Sequence, residues 1–297
     1  MDGIEHPARL TVGVVGAGRV GAVLGAALAR AGHRVTGAYA VSDASRARAA
    51  ELLPGVPLTN VASVVAGAEL VLLAVPDDAL PHLVAGLSAT GAWQAGQMAV
   101  HTSGRHGVAV LEPARAHHVL PLALHPAMTF TGTAMDLDRL GECAFGVTTD
   151  EQLRPVAEAL VLEMGGDPVW VAEEHRVAYH CALSHGANHL VTLTSEAMEL
   201  LSRSGVAEPR HVIGPLMRAA LDNALRLGDA ALTGPVSRGD VGTVEEHLNE
   251  LDRLSPEIRR TYVALSRATA LRALDHGRLR PAAAEPLLDI LADREQK

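Results

Sequence analysis

A short apolar strand, a glycine-rich turn and an alanine-rich helix follow one another near the start of this chain, from residue 10 onward. Within the turn, Gly16, Gly18 and Gly21 have the G-x-G-x-x-G spacing of a dinucleotide site. Gly16 would permit the tight turn, Gly18 would let the backbone approach a pyrophosphate, and Gly21 would let the helix pack closely on the strand. A helix predicted over Arg19–Ala31 would present free N–H groups to the phosphates. The residues predicted to form this cofactor-binding turn are Gly16, Ala17, Gly18, Arg19, Val20 and Gly21.

The composition of the 297-residue chain excludes several classes of protein. Its formal net charge is −9, only 2% of its residues are aromatic, and no basic run is present, so we do not expect nucleic-acid binding. No stretch approaches the roughly 18 consecutive apolar residues of a membrane span, and the first ten residues lack the apolar core of a secretory signal. Cys143 and Cys181 are too few for a disulfide framework. We therefore expect a cytoplasmic protein that acts on a small molecule and does not bind a membrane.

Strand and helix patterns alternate through the first half of the chain. The predicted strands, all short and apolar, are Leu10–Val15, Arg34–Val41, Leu70–Val75, Met98–His101, Val119–Leu124, Ala144–Thr148 and Val169–Val171. Helical patterns lie between most of them, as at Ser45–Leu53 and Glu151–Met164. Strands that are apolar at nearly every position suit a sheet that is covered on both faces. This order predicts an α/β fold with a doubly wound, mostly parallel sheet of Rossmann type.

After about Ala172 the strand patterns stop and only helical patterns continue. One long helix is predicted over Glu174–Ser204 and a second over Pro209–Leu227. The later helix starts, each marked by a capping residue or a proline, are predicted at Thr243 with Glu246, at Ser255 with Pro256, and at Pro281. We therefore predict two domains, an α/β domain over residues 1–172 and an all-α domain over residues 173–297.

The end of the second predicted strand indicates which dinucleotide binds. An acidic residue about 20 residues beyond the glycines would bind the adenine ribose of NAD, whereas an arginine there would accommodate the 2′-phosphate of NADP. Ser42 ends this strand, and Arg46 and Arg48 follow in the next helix. Ser42 could donate a hydrogen bond to a phosphate oxygen, and the arginines could pair with the phosphate. Asp43 leaves NAD open, but the pattern favours NADP as the cofactor.

Three further segments follow predicted strands, at the sheet edge where open α/β folds bind ligands. They are Val75-Pro76-Asp77-Asp78, His101-Thr102-Ser103-Gly104 and His125-Pro126-Ala127-Met128-Thr129. The residues predicted to line the cofactor in these segments are Val75, Pro76 and Thr102. Ser103 and the Gly104 amide are predicted to hold a substrate carboxylate near the nicotinamide, and His125 is predicted to donate a hydrogen bond to an oxyanion. Ordinary loop chemistry is the alternative for each segment.

Polar residues recur every four positions along the long predicted helix, at Arg176, His180, Ser184 and Asn188. Each step advances about 40° around a helix, so these side chains would form a polar stripe on an otherwise apolar helix. If the stripe faces the cofactor, His180 and Asn188, with Ser184 between them, could protonate and orient a carbonyl oxygen. Arg176 could then hold the substrate carboxylate. A stripe that faces solvent is the alternative.

No metal site is predicted. His185 and His189 are also four residues apart, a spacing that can ligate a metal. No carboxylate stands at a suitable offset, and the chain has 15 histidines, so chance explains the pair.

Glycine and proline are dense in the segment Leu232–Asp240, which is therefore predicted to form a shaped loop between two helices. Within it, Arg238 could bind a substrate carboxylate and Asp240 could orient a neighbouring group. An ordinary turn between helices is the alternative.

These motifs resemble a family of bacterial proteins in which a Rossmann-like domain precedes a helical domain of unknown function. Its members are commonly named NADP- or deazaflavin-dependent oxidoreductases. The resemblance covers nearly the whole chain and rests on Gly16–Gly21, Ala74–Asp77, His101–Gly104, His125–Pro126, Tyr179–His180 with Asn188, and Thr233–Pro235 with Arg238–Asp240.

The resemblance extends to the β-hydroxyacid dehydrogenase group, which includes ketopantoate, pyrroline-5-carboxylate and imine reductases. These proteins dimerise through the helical domain and bind substrate between the domains. Many hydroxyacid members carry Lys-x-x-x-Asn on the first long interdomain helix, whereas here Ser184 precedes Asn188 and His180 is the substitute acid. The resemblance implies a homodimeric NADP-dependent reductase of a small carboxylate-bearing carbonyl, of ketopantoate type. The alternatives are an imine reductase of pyrroline-5-carboxylate reductase type and a non-catalytic NADP-binding sensor or scaffold.

Overall fold

The computed structural model describes residues 9–292 of the protein. Seven strands form a sheet, and they are β1 (Thr11–Val15), β2 (Arg34–Tyr39), β3 (Leu70–Leu73), β4 (Met98–His101), β5 (Leu120–Pro126), β6 (Ala144–Thr149) and β7 (Asp167–Trp170). Their order is β2-β1-β3-β4-β5-β6-β7. Strands β1 to β5 are parallel, β6 is antiparallel to β5, and β7 is parallel to β6. The doubly wound, mostly parallel sheet predicted from the sequence is confirmed.

Helices cover both faces of this sheet. They are α1 (Arg19–Arg30), α2 (Asp43–Leu52), α3 (Val61–Ala66), α4 (Leu80–Ala89), α5 (Glu112–Arg115), α6 (Met135–Arg139), α7 (Arg154–Glu163) and α8 (Arg176–Leu183). Alternate residues of a strand point to opposite faces. In β3, Leu70 and Leu72 join the core that contains α1 and α7, whereas Val71 and Leu73 join the core that contains α3 and α4. Burial on both faces is why β3 is apolar at every position.

The chain divides into two compact units, Met1–Gly186 and Ala187–Lys297. The boundary between the units thus falls later than the domain boundary predicted after residue 172. Helix α8 belongs to the first unit because its residues Arg176 and Tyr179 bond to groups of β5 and β6.

The second unit is all-α, as predicted. Its helices are α9 (His189–Arg203), α10 (Pro209–Leu227), α11 (Pro235–Arg238), α12 (Val241–Leu254), α13 (Pro256–Asp275) and α14 (Pro281–Ile290). Apolar side chains of α11 to α14, such as Val244, Ala270 and Leu287, form its core. The predicted start of α13 is confirmed, since the Ser255 hydroxyl accepts a hydrogen bond from the N–H of Ile258.

Two predictions about helices are wrong. The helix predicted over Glu174–Ser204 is interrupted, because α8 ends at Leu183 and a π-helical turn at Ser184–Asn188 precedes α9. The capping box at Thr243 does not form, because α12 already begins at Val241, directly after the left-handed Gly239 has ended α11. Among residues 9–292, no helix is long and apolar enough to cross a membrane.

Candidate functional site

The turn between β1 and α1 has the geometry of a pyrophosphate cradle. Gly16 has φ +98°, a conformation that favours glycine, and a Cβ there would overlap the carbonyl of Ala74 at the end of β3. A Cβ on Gly21 would overlap the Gly16 carbonyl oxygen. A Cβ on Gly18 would meet no atom within 4 Å, so space lies open in front of this residue. The three predicted glycine roles, turn, access and close packing, thus fit the three positions.

The amino terminus of α1, which directly follows this turn, can bind an anion. Gly18 caps α1 without a side-chain hydrogen bond, and no acidic residue lies in the first turn. The amino-terminal N–H groups and the helix dipole are therefore available to a phosphate. The described residues of the turn thus fit a bound dinucleotide.

Two of the predicted ribose-reading residues, Ser42 and Arg46, are bonded to neighbouring residues at the start of α2. Ser42 caps α2, because its hydroxyl accepts a hydrogen bond from the Ser45 N–H, and the Ser45 hydroxyl lies 3.0 Å from the Ser42 amide nitrogen. Arg46 forms an ion pair of 2.8 Å with Asp43. A direct role for Ser42 and Arg46 in binding a phosphate stays a prediction.

Strands β3 and β4 bring their following loops to the same sheet edge as the glycine turn. Val75 and Pro76 follow β3, which lies beside β1, and Thr102 follows β4. Arg105 then joins the two loops, because its guanidinium forms an ion pair of 2.6 Å with Asp78. The prediction that these loops lie at one edge of the sheet is confirmed. The contacts of Val75, Pro76 and Thr102 with a cofactor stay predictions.

His101 organises the loop after β4, a role that sequence analysis missed. Its side chain is fully buried, with Nε2 2.8 Å from the carbonyl oxygen of Gly107 and Nδ1 accepting a hydrogen bond from the N–H of Ser103. Burial, as the largest cause, lowers the pKa of His101 to about 3, so the ring is neutral. Ser103 is itself buried, and its hydroxyl accepts a hydrogen bond from the N–H of His106.

His125, Tyr179, His180 and Gly104 meet beside this loop. Nδ1 of His125, in β5, lies 3.0 Å from the Tyr179 hydroxyl in α8. The His125 and His180 rings lie edge to face, 6.0 Å between centroids. A Cβ on Gly104 would lie 2.5 Å from the His180 ring and 2.9 Å from Nε2 of His125, so Gly104 lets its backbone approach both rings. The structure therefore brings His125 and His180 together with Gly104, and it adds Tyr179.

The His125–Tyr179 pair is held in its neutral form. Burial, as the largest cause, and the nearby Arg176 cation lower the pKa of His125 to about 4. Burial raises the pKa of Tyr179, although Arg176 and a Gly146 backbone hydrogen bond act in the opposite direction. At neutral pH the pair thus holds a neutral imidazole and a protonated phenol, which can pass a proton between them.

Arg176 is buried, which corrects the prediction that it lies on an accessible polar stripe. Its side chain donates hydrogen bonds to the carbonyl oxygens of Ala123 and Gly146 and to the Thr148 hydroxyl, and it lies 5.8 Å from the centre of the Tyr179 ring. Only 1% of the residue is exposed. Arg176 therefore ties α8 to β5 and β6 and places a positive charge near His125, instead of presenting its guanidinium to a substrate.

The rest of the predicted stripe is not continuous. Ser184 is half-buried and opens the π-helical turn, whereas Asn188 closes this turn, is exposed and belongs to the second unit. The catalytic roles predicted for Ser184 and Asn188 stay predictions.

The loop that contains Arg238 and Asp240 is built by its glycines. Gly234 and Gly239 both have positive φ, and a Cβ on Gly239 would lie 2.9 Å from the Cβ of Ala283. Arg238 is exposed and forms an ion pair of 2.9 Å with Asp240. The glycines shape this segment as predicted, but it contains the short helix α11 and is not a loop throughout, and the substrate contact of Arg238 stays a prediction.

A cavity of about 590 Å³ lies elsewhere on the first unit, beside the carboxyl ends of β6 and β7. Its charged groups already have protein partners, because Arg115 bonds to both oxygens of Asp150 and Glu173 accepts hydrogen bonds from the amides of Val108 and Ala109. Since β6 is antiparallel to β5, this cavity lies at the sheet edge opposite the glycine turn.

The chain matches two protein families. Residues 2–126 match the Rossmann-like domain, and residues 143–269 match the domain of unknown function DUF2520. No curated protein matches the sequence.

Solved structures share the fold. BF3122 from Bacteroides fragilis, which carries the provisional name NADP oxidoreductase, is 23% identical, with 88% of this chain and 98% of that chain covered and a TM-score of 0.74. An imine reductase from Myxococcus stipitatus, solved in complex with NADP+, is 21% identical over 95% of this chain and 100% of its own, with a TM-score of 0.66. A pyrroline-5-carboxylate reductase from Coxiella burnetii is 15% identical over 89% and 97%, with a TM-score of 0.52. The chain therefore combines a Rossmann-like domain with a DUF2520 domain, which confirms the family that its motifs resembled.

Proposed function

We propose that this protein is an NADP-dependent oxidoreductase that reduces the carbonyl group of a small molecule bearing a carboxylate. The observation that carries the proposal is the Gly16–Gly21 turn, which leaves open space at Gly18 in front of an uncapped helix amino terminus. NADPH bound there would supply the hydride. The names of similar solved structures, an NADP oxidoreductase and an imine reductase in complex with NADP+, support the same class of cofactor.

The proton comes from His125 and Tyr179. When the Tyr179 hydroxyl donates to Nδ1 of His125, the single N–H of the neutral imidazole lies on Nε2, the atom nearest to Gly104. As the carbonyl carbon gains hydride, Nε2–H gives its proton to the forming alkoxide, and Nδ1 takes the Tyr179 proton. The resulting phenolate is stabilised by the Arg176 cation until solvent returns the proton. His180, predicted as the acid from the sequence, contacts the same Gly104 and assists by orienting the carbonyl oxygen.

The substrate carboxylate binds to the loop after β4. His101 fixes the Ser103 amide, so the backbone around Ser103 and Gly104 is rigid before a substrate arrives. The donors left for the carboxylate are the Ser103 hydroxyl and the Gly104 N–H, and donors that are fixed in advance stabilise a bound anion well because they cost little reorganisation. The substrate contacts predicted from the sequence for Asn188 and Arg238 stay predictions.

Reduction of a cyclic imine is the second candidate function. Solved imine reductases share this fold, and an imine that is already protonated needs no dedicated acid. The two functions differ in their dependence on His125, since only carbonyl reduction needs the proton that His125 supplies.

The test is a screen of NADPH oxidation, followed by the loss of absorbance of the reduced cofactor. We expect turnover with 2-oxo acids and little turnover with cyclic imines. Turnover confined to imines would replace the first function by the second. Tight NADPH binding without turnover of either class would favour a sensor or scaffold, and absence of NADPH binding would refute the oxidoreductase proposal altogether.

A further inference from the structure

Glu173 connects two parts of the first unit that the proposed reaction uses. It lies in the turn Glu173–His175, directly before α8, and is exposed. Oε2 of its carboxylate accepts a hydrogen bond of 2.7 Å from the N–H of Val108, and Oε1 accepts one of 3.2 Å from the N–H of Ala109. Both amides belong to the short 3₁₀ helix that follows the loop after β4. One carboxylate thus binds two backbone groups of a segment far away in the chain.

The close approach of this carboxylate requires a glycine at position 107. A Cβ on Gly107 would overlap the Glu173 carboxylate. The φ of Gly107 is −95°, a value that other residues also adopt, so its backbone conformation does not require glycine. The lack of a side chain instead lets the backbone pass directly against the carboxylate.

Gly107 links this contact to the loop that is proposed to bind the substrate carboxylate. Its carbonyl oxygen lies 2.8 Å from Nε2 of the buried His101, and Nδ1 of His101 accepts a hydrogen bond of 3.2 Å from the N–H of Ser103. A neutral ring whose Nδ1 is an acceptor has its N–H on Nε2, which therefore donates to Gly107. The donors at Ser103 and Gly104 are thus joined through His101 to the backbone that Glu173 holds.

The helix that follows Glu173 is anchored independently. Arg176, three residues further on, is buried and donates hydrogen bonds to carbonyl oxygens of β5 and β6. In the next turn of α8, the Tyr179 hydroxyl lies 3.0 Å from Nδ1 of His125. Glu173 therefore projects from a helix that is fixed to the sheet and that carries one member of the proposed proton relay.

We propose that Glu173 is a positioning residue for the substrate carboxylate, which holds the donors at Ser103 and Gly104 in place relative to α8. This inference rests on the proposed function and adds a residue to it. Glu173 acts through the backbone of residues 107–109 and through His101, without touching the substrate. Its loss should therefore weaken binding of the carboxylate, whereas proton transfer should change little because α8 keeps its own anchors.

A 2-oxo acid and its methyl ester together test this role, since only the acid offers a carboxylate. Glu173→Gln replaces one acceptor oxygen by an NH₂ group, so one of the two amide hydrogen bonds is lost. KM for the acid should rise about tenfold, whereas kcat for the acid and kcat/KM for the ester should each change by less than about twofold. Gly107→Ala places a methyl group where the carboxylate lies, so it should have the same effect without a change of charge.

Glu174→Gln is the matched control, because Glu174 is the exposed neighbour of Glu173 and the change removes the same charge. It should leave the kinetic constants for both substrates unchanged. Equal losses with acid and ester in Glu173→Gln would overturn the proposal, because they would indicate a general disturbance of the protein. A rise of KM in Glu174→Gln as large as in Glu173→Gln would overturn it as well.

Amide hydrogen exchange of the ligand-free protein provides a readout that needs no substrate. In Glu173→Gln, exchange over residues 103–109 should be at least about tenfold faster, while exchange in β1 should not change. Unchanged exchange over residues 103–109 would overturn the proposal even if activity fell. If Glu173→Gln reduces the acid with wild-type constants, this inference alone fails. If the wild-type protein neither binds NADPH nor reduces the acid, the proposed function fails, and the positioning role fails with it.

Discussion

At the scale of single residues, the candidate site depends on one neutral histidine. Nδ1 of His125 lies 3.0 Å from the Tyr179 hydroxyl, and burial together with the nearby Arg176 charge lowers the pKa of His125 to about 4. An imidazole of this kind carries one proton across the physiological range and gives it up only if Tyr179 replaces it.

His125→Gln is the first variant to test. It should lower the turnover of an identified carbonyl substrate by roughly 10²–10³-fold, the usual loss for one positioned acid or oxyanion donor. NADPH binding should not change, because the glycine turn belongs to other strands. His180→Ala should have a smaller effect on turnover, since that ring lacks the Tyr179 partner. The reverse ranking in steady-state kinetics would return the role of acid to His180.

Tyr179→Phe tests the relay through its pH profile. Because the pKa of Tyr179 is raised, wild-type turnover should fall only in alkaline solution, as the phenol loses its proton. The pKa of His125 lies at about 4, so no loss of activity is expected near pH 6.5. The variant should have lower turnover and lack the alkaline fall. An unchanged alkaline fall in kcat would show that another group supplies the proton.

At the scale of elements, the glycine turn contains one glycine that the fold needs and another that only a bound ligand needs. Gly21 cannot accept a side chain without moving α1, whereas Gly18 has open space around it. The chain therefore offers a position where a methyl group should obstruct a ligand without disturbing the protein.

Gly18→Ala should preserve the thermal midpoint within a few degrees and weaken NADPH binding by at least about tenfold, because the backbone can no longer approach the pyrophosphate. Gly86→Ala, in α4, is the matched control, since a Cβ there also meets no atom within 4 Å. It should leave NADPH affinity unchanged in a fluorescence titration. Full NADPH affinity in Gly18→Ala would mean that the phosphates bind elsewhere.

At the scale of the whole molecule, two neutral histidines link stability to pH. The pKa values of His101 and His125 lie at about 3 and about 4 in the folded protein, below the ordinary value of 6.5. Between pH 6.5 and these lower pKa values, the unfolded chain therefore binds more protons than the folded chain. The contribution of the two neutral rings to the free energy of unfolding is complete above pH 6.5 and is lost as pH falls toward 4. Each pKa unit corresponds to about 1.4 kcal/mol, so the loss amounts to several kcal/mol.

Urea unfolding followed by tryptophan fluorescence should measure this loss, because Trp93 and Trp170 both belong to the first unit. Between pH 7 and 4.5 the free energy of unfolding should fall, and in His101→Gln it should fall less steeply. His82, which is exposed, provides the control: in His82→Gln the free energy of unfolding should fall between pH 7 and 4.5 as much as in the wild type. If His101→Gln leaves the dependence of the unfolding free energy on pH unchanged, protonation of His101 is not the cause of the destabilisation in acid.

Assembly is the second expectation at this scale. Helices α9 and α10 have no buried residue, and α10 exposes apolar side chains such as Leu216 and Leu225. Covering them in a symmetric dimer would remove apolar area from water, and we expect an interface above roughly 2,000 Å². Light scattering should return twice the chain mass of 31.0 kDa. A monomer at micromolar concentration would contradict this expectation.

The sequence by itself determined the features that depend on local spacing. The glycine turn, all seven strands and the helices α10, α13 and α14 follow from periodicity, glycine positions and prolines that act over a few residues. These local rules also placed Thr102, Ser103, Gly104 and His125 at the carboxyl edge, because parallel strands end together there.

Only the tertiary structure decided what those residues contact. Four-residue spacing placed Arg176 on the same helical face as His180, but its guanidinium is buried against the carbonyl oxygens of Ala123 in β5 and Gly146 in β6. The His125–Tyr179 pair and the hydrogen bond from Arg176 to the Ala123 carbonyl join residues far apart in the chain. Such contacts depend on strand order and on loops that cross the sheet edge, and no periodicity within a segment encodes them.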